Sequence, residues 1–396
     1  MLDAQLAAAP SKVHDRQWIG VAPAVFAAAW GGNHFTPLLV LYKQLDHFSA
    51  TQVYLLLAAY IVGLVPGFLA TRRLSQWFGR ASVMITALVL GIAGSLVLAS
   101  NETSFVLMAL GRALSGLSVS AALTVGTLWI RELSAARLPA IGAVRASMAI
   151  TLGLGVGAAI TGVLATWFAQ PTVLPYLVHV GVSVIAVVPL VRAPSVPAVS
   201  ITDVVARESP RPHGGSFWPG ALVASPWVFG VAAIAYALTP ALVRISPERV
   251  EPAYAALLAV VTLAVGTAVQ PLVPLIGRVT RAPAAAGLAL GVVGVILCAV
   301  TASTGNLFLG ILTACVLGCS FGVSLVAGLV KAQALSSGGR DLVGRYYALT
   351  YVGFTFPAII AAAAPSLSYP GILLIVAGMA SVCALVVLHQ ERSARR

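Results

Sequence analysis

Twelve apolar runs, each near 20 residues long, constrain this chain more than any other feature. They lie at roughly 18–42, 50–71, 81–100, 104–130, 142–168, 173–191, 219–243, 253–276, 283–302, 306–330, 343–364 and 370–389. A helix of about 20 mostly apolar residues crosses the hydrocarbon core of a bilayer. Only 9% of the residues are charged, against about a quarter in a soluble domain. So few charges cannot cover a water-facing surface, and lipid must be the solvent for most of it. The mean hydropathy of +0.98 agrees. The expectation is an all-α membrane protein with 12 transmembrane helices. Prolines inside several runs (Pro23, Pro37, Pro66, Pro240, Pro271, Pro357) do not oppose it. In a membrane, neighbouring helices and water satisfy the carbonyls that a proline frees.

The positions of the charges exclude other classes. Net charge is +12, which taken alone suggests a nucleic-acid partner. Yet every acid, and every basic residue except Arg112, lies in or beside a break between apolar runs. A nucleic-acid domain gathers its basic residues on a folded soluble face, and no stretch is long enough to make one. Cys298, Cys315, Cys319 and Cys383 all sit inside apolar runs. Cys315 and Cys319 share a helix face, but no further ligand is spaced to complete a metal site, so they read as small packing residues. Residues 1–17 carry Asp3, Lys12, Asp15 and Arg16, which does not fit a secretory leader. No nucleophile–base pair, nucleotide loop or cofactor motif is present, so neither an enzyme nor a bound cofactor is expected.

Alternate loops fix the expected orientation. With the N-terminus inside, inner segments hold 19 Lys and Arg, and outer segments hold only Lys43, Arg244 and Arg249. Cytoplasmic loops collect these residues, and one missed span would invert every later loop. Both termini are therefore expected in the cytoplasm. The longest loop, 192–218, is rich in Pro, Ser and charge and reads as a flexible linker. It divides the chain into a cytoplasmic segment 1–17, a bundle of six helices at 18–191, the linker, a second bundle at 219–389, and a tail at 390–396. The halves echo each other. Thr36-Pro37 recurs as Thr239-Pro240, and Gly116, Ser118 and Gly142 recur as Gly318, Ser320 and Gly344, at an almost constant offset of about half the chain. Six-helix repeats of this kind build a central cavity in one large transporter fold.

Three motifs resemble the major facilitator superfamily, and the likeness extends over essentially the whole length. Between spans two and three, Arg72-Arg73-Leu74-Ser75-Gln76-Trp77-Phe78-Gly79-Arg80-Ala81 aligns with that family's G-x-x-x-D-x-x-G-R-[RK] loop. Gly79 and Arg80 match, Arg72 replaces the first Gly and Gln76 replaces the Asp. The resemblance implies a cytoplasmic gate at Gln76, Gly79, Arg80 and Arg73. Asp341, at the start of span eleven, is the expected carboxylate partner of Arg80 or Arg73 and suits the helix dipole there. In span four, Arg112-Ala113-Leu114-Ser115-Gly116 resembles the family's R-x-x-x-G. In span five, Gly153, Gly157 and Gly162 match the antiporter branch's G-x-x-x-G-P-x-x-G-G, with Ala158 for the Pro. Small residues at this spacing let helices approach closely, and in the family this face meets span eight. The resemblance implies two six-helix bundles related by a pseudo-two-fold axis.

Arg112 is the one basic residue well inside a run. An Arg near the bilayer centre costs at least about 2.5 kcal/mol on insertion scales, so it faces protein or water. The spans lack an acid of the kind that proton-coupled relatives carry. At 1.5 Å per residue, His34 and Arg112 each lie about 12 Å from the outer ends of spans one and four. The family fold sets those spans side by side, so Asn33, His34 and Arg112 form the expected site. Either His34 titrates, or Arg112 binds an anionic group with Asn33 and His34 as hydrogen-bonding partners. His179, in a span that is peripheral in the family, reads as structural or interfacial. The remaining lining is expected from Trp30, Phe35, Thr36, Tyr236, Thr239, Ser320, Ser324, Tyr347, Tyr351 and Phe354. Such a lining suits lipophilic or amphipathic substrates.

The expectation is therefore a monomeric, multi-pass carrier in a plasma or inner membrane. It moves a small molecule by alternating access, most plausibly outward and in exchange for protons. Uptake or exchange of a small metabolite and lipid movement are the alternatives. No nucleic acid, metal or cofactor is expected.

Overall fold

A computed structural model describes residues 14–45, 47–134, 139–194, 217–335 and 342–393. Among them the secondary structure is entirely helical. Twelve helices are long and apolar enough to cross a membrane. In chain order they are α1 Ala22–Gln44, α2 Ala50–Thr71, α3 Arg80–Ser100, α4 Phe105–Ser134, α5 Ile141–Trp167 and α6 Leu174–Val191, followed by α7 Pro219–Leu242, α8 Glu248–Thr280, α9 Pro283–Thr304, α10 Leu307–Leu335, α11 Leu342–Leu367 and α12 Tyr369–Ser393. Because their number is even, residues 14 and 393 lie on one face, here called the terminal face. Large apolar side chains turn outward along the helices, among them Val62, Val106, Ile185 and Phe308. That is the surface a lipid solvent requires.

The packing repeats between the first six helices and the last six. Helix α4 packs on α2 and α3, as α10 packs on α8 and α9. Helix α1 packs on α5 as α7 packs on α11, and α3 on α6 as α9 on α12. The Thr-Pro pairs behave alike too. Thr36–Leu38 and Thr239–Leu242 each interrupt their span with a tight 3-10 turn. Proline lacks the N–H that continued α-helix needs, so the spacing narrows there. The two sets of helices meet along α2 with α11, α5 with α8, and the outer end of α1 with α8.

Glycines set how closely the spans approach. A Cβ built on Gly63 of α2 falls 1.8 Å from the Ala113 carbonyl oxygen of α4. One built on Gly116 falls 2.1 Å from the carbonyl oxygen of Tyr60. The backbones of α2 and α4 therefore touch, which only residues without a side chain allow. The α5 glycines divide between two neighbours. Gly153 and Gly157 abut Phe26, Ala29 and Trp30 of α1, and only Gly162 abuts α8, at Pro252 and Ala256. The motif as a whole was expected on α8. Two of its three positions instead serve the α1–α5 contact.

Candidate functional site

The α2–α4 contact places Arg112. With Gly63 against Ala113, the neighbouring Arg112 side chain turns into the bundle, where it is 1% exposed. Its Nε donates to the Leu56 carbonyl of α2 at 3.4 Å. The guanidinium carbon lies 4.6 Å from the centre of the Phe35 ring and 4.9 Å from that of Tyr60. Cation–π attraction to two rings offsets part of the desolvation of this charge. Nη1 has no hydrogen-bond partner, and no carboxylate among the described residues pairs with the group. A buried cation without a counter-charge is a high-energy arrangement that an anion would relieve.

His34 lies beside it on α1, fully buried, and both ring nitrogens lack a partner. Its ring packs on Tyr176 and His179 of α6, each 4.9 Å away between ring centres. Tyr176 in turn shares a 2.9 Å hydrogen bond with the Tyr42 hydroxyl of α1. His179, unlike His34, is saturated. Its Nδ1 meets the Ser95 hydroxyl at 2.7 Å, and its Nε2 meets the Ala27 carbonyl at 3.0 Å and Ser183 at 3.2 Å. A carbonyl only accepts, so Nε2 carries the proton and Nδ1 accepts from Ser95. A Cβ on Gly31 would fall 2.7 Å from Nε2, so the glycine makes room for the ring. Its filled hydrogen bonds agree with the structural role expected for His179, although its place is less peripheral than the family suggested. Helix α6 packs on α1, and the ring sits directly against His34.

Other expected residues divide. Asn33 is committed within the first six helices, donating to the Leu154 carbonyl at 3.0 Å and accepting from Thr36 at 2.8 Å. Trp30 packs against Gly157, with its indole nitrogen unpartnered. Three predicted lining residues face elsewhere. Thr239 bonds the Ile234 carbonyl and touches the Cys298 sulfur of α9, and Ser320 donates to the Gly287 carbonyl of α9. Ser324 lines a cavity of about 90 Å³ enclosed by α7, α9, α10, α11 and α12, together with Ser225, Lys331, Tyr346 and Glu391. The hydroxyls of Thr239 and Ser320 are thus engaged within the last six helices, and Ser324 faces a cavity among them.

Aromatic rings fill the contact between the halves. Phe229 of α7 stacks on Tyr351 and Phe354 of α11, with ring centres 4.1 and 5.3 Å apart and planes within 21°. Tyr60 of α2 meets both α11 rings at 6.1 Å, and Tyr236 meets Phe354 at 6.5 Å. Nearer the terminal face, Phe68 stacks on Tyr347 at 5.8 Å. The sequence reading anticipated Tyr236, Tyr347, Tyr351 and Phe354 but missed Tyr60, Phe68 and Phe229. For Tyr60 and Phe68 the signal was a shared stripe, since Tyr60, Leu64 and Phe68 recur every fourth residue on one buried face of α2.

At the terminal end of α3, Arg80 meets an acid that the sequence did not single out. Its guanidinium forms a two-pronged ion pair with Glu132 of α4, Nη2 reaching Oε1 at 2.8 Å. Asp341 lies outside the described residues. The helix of α2 continues past the span to Phe78 and carries Arg73 and Gln76 in its last turns, and Gly79 adopts a positive φ of 81° that lets the chain turn directly into α3. At the opposite, far face the two halves are latched. Gln44 donates to Glu251 of α8 at 2.9 Å, while Lys43 is hydrogen-bonded to Tyr54 within the first half.

Solved structures share this architecture. A D-xylose–proton symporter superposes with a TM-score of 0.72 at 15% identity, covering 95% of this chain and 97% of its own. The nucleoside transporter NupG gives 0.69 at 13% identity, with coverage of 95% and 98%. The POT-family transporter PepTSo gives 0.74 at 12% identity, with coverage of 98% and 99%. Identities this low establish the fold alone. No curated protein sequence matches the chain at a comparable level. The family profile of the Major Facilitator Superfamily matches residues 21–362, most of the chain, with ten spans whole and most of the eleventh. The chain is therefore a member of the Major Facilitator Superfamily, a multi-pass membrane transporter and not an enzyme.

Proposed function

We propose that this protein is an alternating-access carrier of small amphipathic organic anions, with Arg112 as the anion receptor. One observation carries the reading. Arg112 is a fully buried guanidinium with Nη1 unpartnered and no carboxylate beside it among the described residues. A planar guanidinium is suited to bidentate capture of a carboxylate or phosphate. The apolar and aromatic surroundings supply the rest of an amphipathic ligand's environment.

His34 supports proton coupling and gives it a sign. While Arg112 is bare, its charge opposes a second cation on the adjacent imidazole. An anion on Arg112 cancels that repulsion, and the unprotonated ring nitrogen of His34, which has no partner, is then open to a proton. Anion and proton thus bind together, which favours cotransport. This replaces the exchange and export suggested by the α5 glycines, two of which pack within the first six helices. The test is a proteoliposome assay in which an imposed proton gradient drives a panel of organic anions, cations and neutral compounds. Accumulation of anions, lost in Arg112→Gln, is the expected result. Transport restricted to cations or neutral compounds would refute it.

A further inference from the structure

We infer that the anion's body is a planar aromatic ring, so that the substrates are aromatic carboxylates. This rests on the anion reading above and names the subsite that reading leaves open.

The first support is position. Arg112 touches the face of Tyr60, and Tyr60 is itself in contact with Tyr351 and Phe354. One ring therefore separates the cation from the aromatic stack between the halves. A carboxylate held by Arg112 directs its substituent along Tyr60 towards that stack.

The second is geometry. Phe229, Tyr351 and Phe354 lie with their planes within 21° of one another across the α7–α11 contact. Rings in near-parallel slabs present flat faces, and a flat guest can replace one face-to-face contact with two. An aliphatic body of equal volume fits such slots poorly.

The experiment measures equilibrium binding to the purified full-length protein in detergent. The probes are benzoate, cyclohexanecarboxylate and acetate, with benzyl alcohol as the uncharged aromatic. Benzoate should bind about two- to tenfold more tightly than cyclohexanecarboxylate, the range expected for aromatic pairing beyond area burial. Phe229→Leu and Tyr351→Leu should each abolish that preference, and Tyr351→Phe should retain it. Thermal unfolding identifies any variant that fails to fold, and the wild-type comparison of the two ring acids stands without variants. Equal affinity for the two acids, or a preference that survives both leucine variants, overturns the aromatic assignment and leaves the anion reading intact. If no carboxylate binds, or if benzyl alcohol matches benzoate, the anion reading falls and this inference with it.

Discussion

Replacing Arg112 with glutamine separates a functional charge from a structural one. In the resting protein the guanidinium gains one long hydrogen bond to Leu56, about 1.5 kcal/mol at most, and two ring contacts of about 2 kcal/mol each when desolvated. Against this stands the burial of a cation with no counter-charge, several kcal/mol even after relaxation. The two sides nearly cancel. Arg112→Gln should therefore leave the ligand-free protein within about 2 kcal/mol of wild type, and thermal unfolding in detergent should show little change. Binding of a carboxylate such as benzoate should fall at least 100-fold, since two charge-assisted hydrogen bonds are worth about 3 kcal/mol or more together. Isothermal titration on the same preparations reads the second quantity. Had Arg112 been one half of a buried ion pair, its removal would cost about 3–5 kcal/mol. A large drop in melting temperature, with carboxylate affinity unchanged in the folded fraction, would refute the reasoning.

Three further outcomes follow from particular contacts. His34→Gln should flatten the pH dependence of anion uptake, which in wild type should rise as the pH on the entry side falls. Uptake that still quickens on acidification in the variant would remove His34 from the coupling. Gly63→Ala should cost about 1–3 kcal/mol of stability or more, because its Cβ meets the Ala113 carbonyl, whereas Gly155→Ala, with open space around it, should be neutral in the same unfolding assay. Glu251→Ala should release the Gln44 latch and shift the protein towards opening at the far face, read as faster labelling of a cysteine introduced at Thr36. Unchanged labelling would mean that the α1–α8 packing alone holds that face shut.

The number of spans was legible because hydropathy is a one-dimensional property. A run of 20 apolar residues means the same thing whatever it packs against. Arg112 was legible for a related reason, as a charge where none is tolerated without cause. Residues whose role depends on a neighbour were not. Thr239 and Ser320 looked like cavity hydroxyls, but each bonds inside the last six helices. His179 was set aside on an assumption about α6, and only the packing of α6 on α1 brings it to His34. Tyr60 and Phe229 sit in apolar runs, where a ring that packs and a ring that binds are spelled alike. The ion pair of Arg80 with Glu132, at the end of a neighbouring span, is another contact that only packing reveals.

The two halves are built alike and equipped differently, and on the anion reading proposed above that difference carries the mechanism. At the position that the repeat relates to Arg112, the last six helices have Ala314, a small buried residue. The charge, both buried histidines and the Tyr42–Tyr176 pair belong to the first six. The flat rings Phe229, Tyr351 and Phe354 belong to the last six. A ligand with an anionic end and an aromatic end makes its best contacts only when both halves close on it at once. A free anion satisfies Arg112 without engaging the rings, and a neutral arene engages the rings without relieving Arg112. Only a molecule with both ends binds the closed state better than an open one, and that differential affinity is what lets a ligand move a conformational equilibrium. Specificity and the drive for alternating access then share one origin, the division of a two-ended site between two halves of the same design.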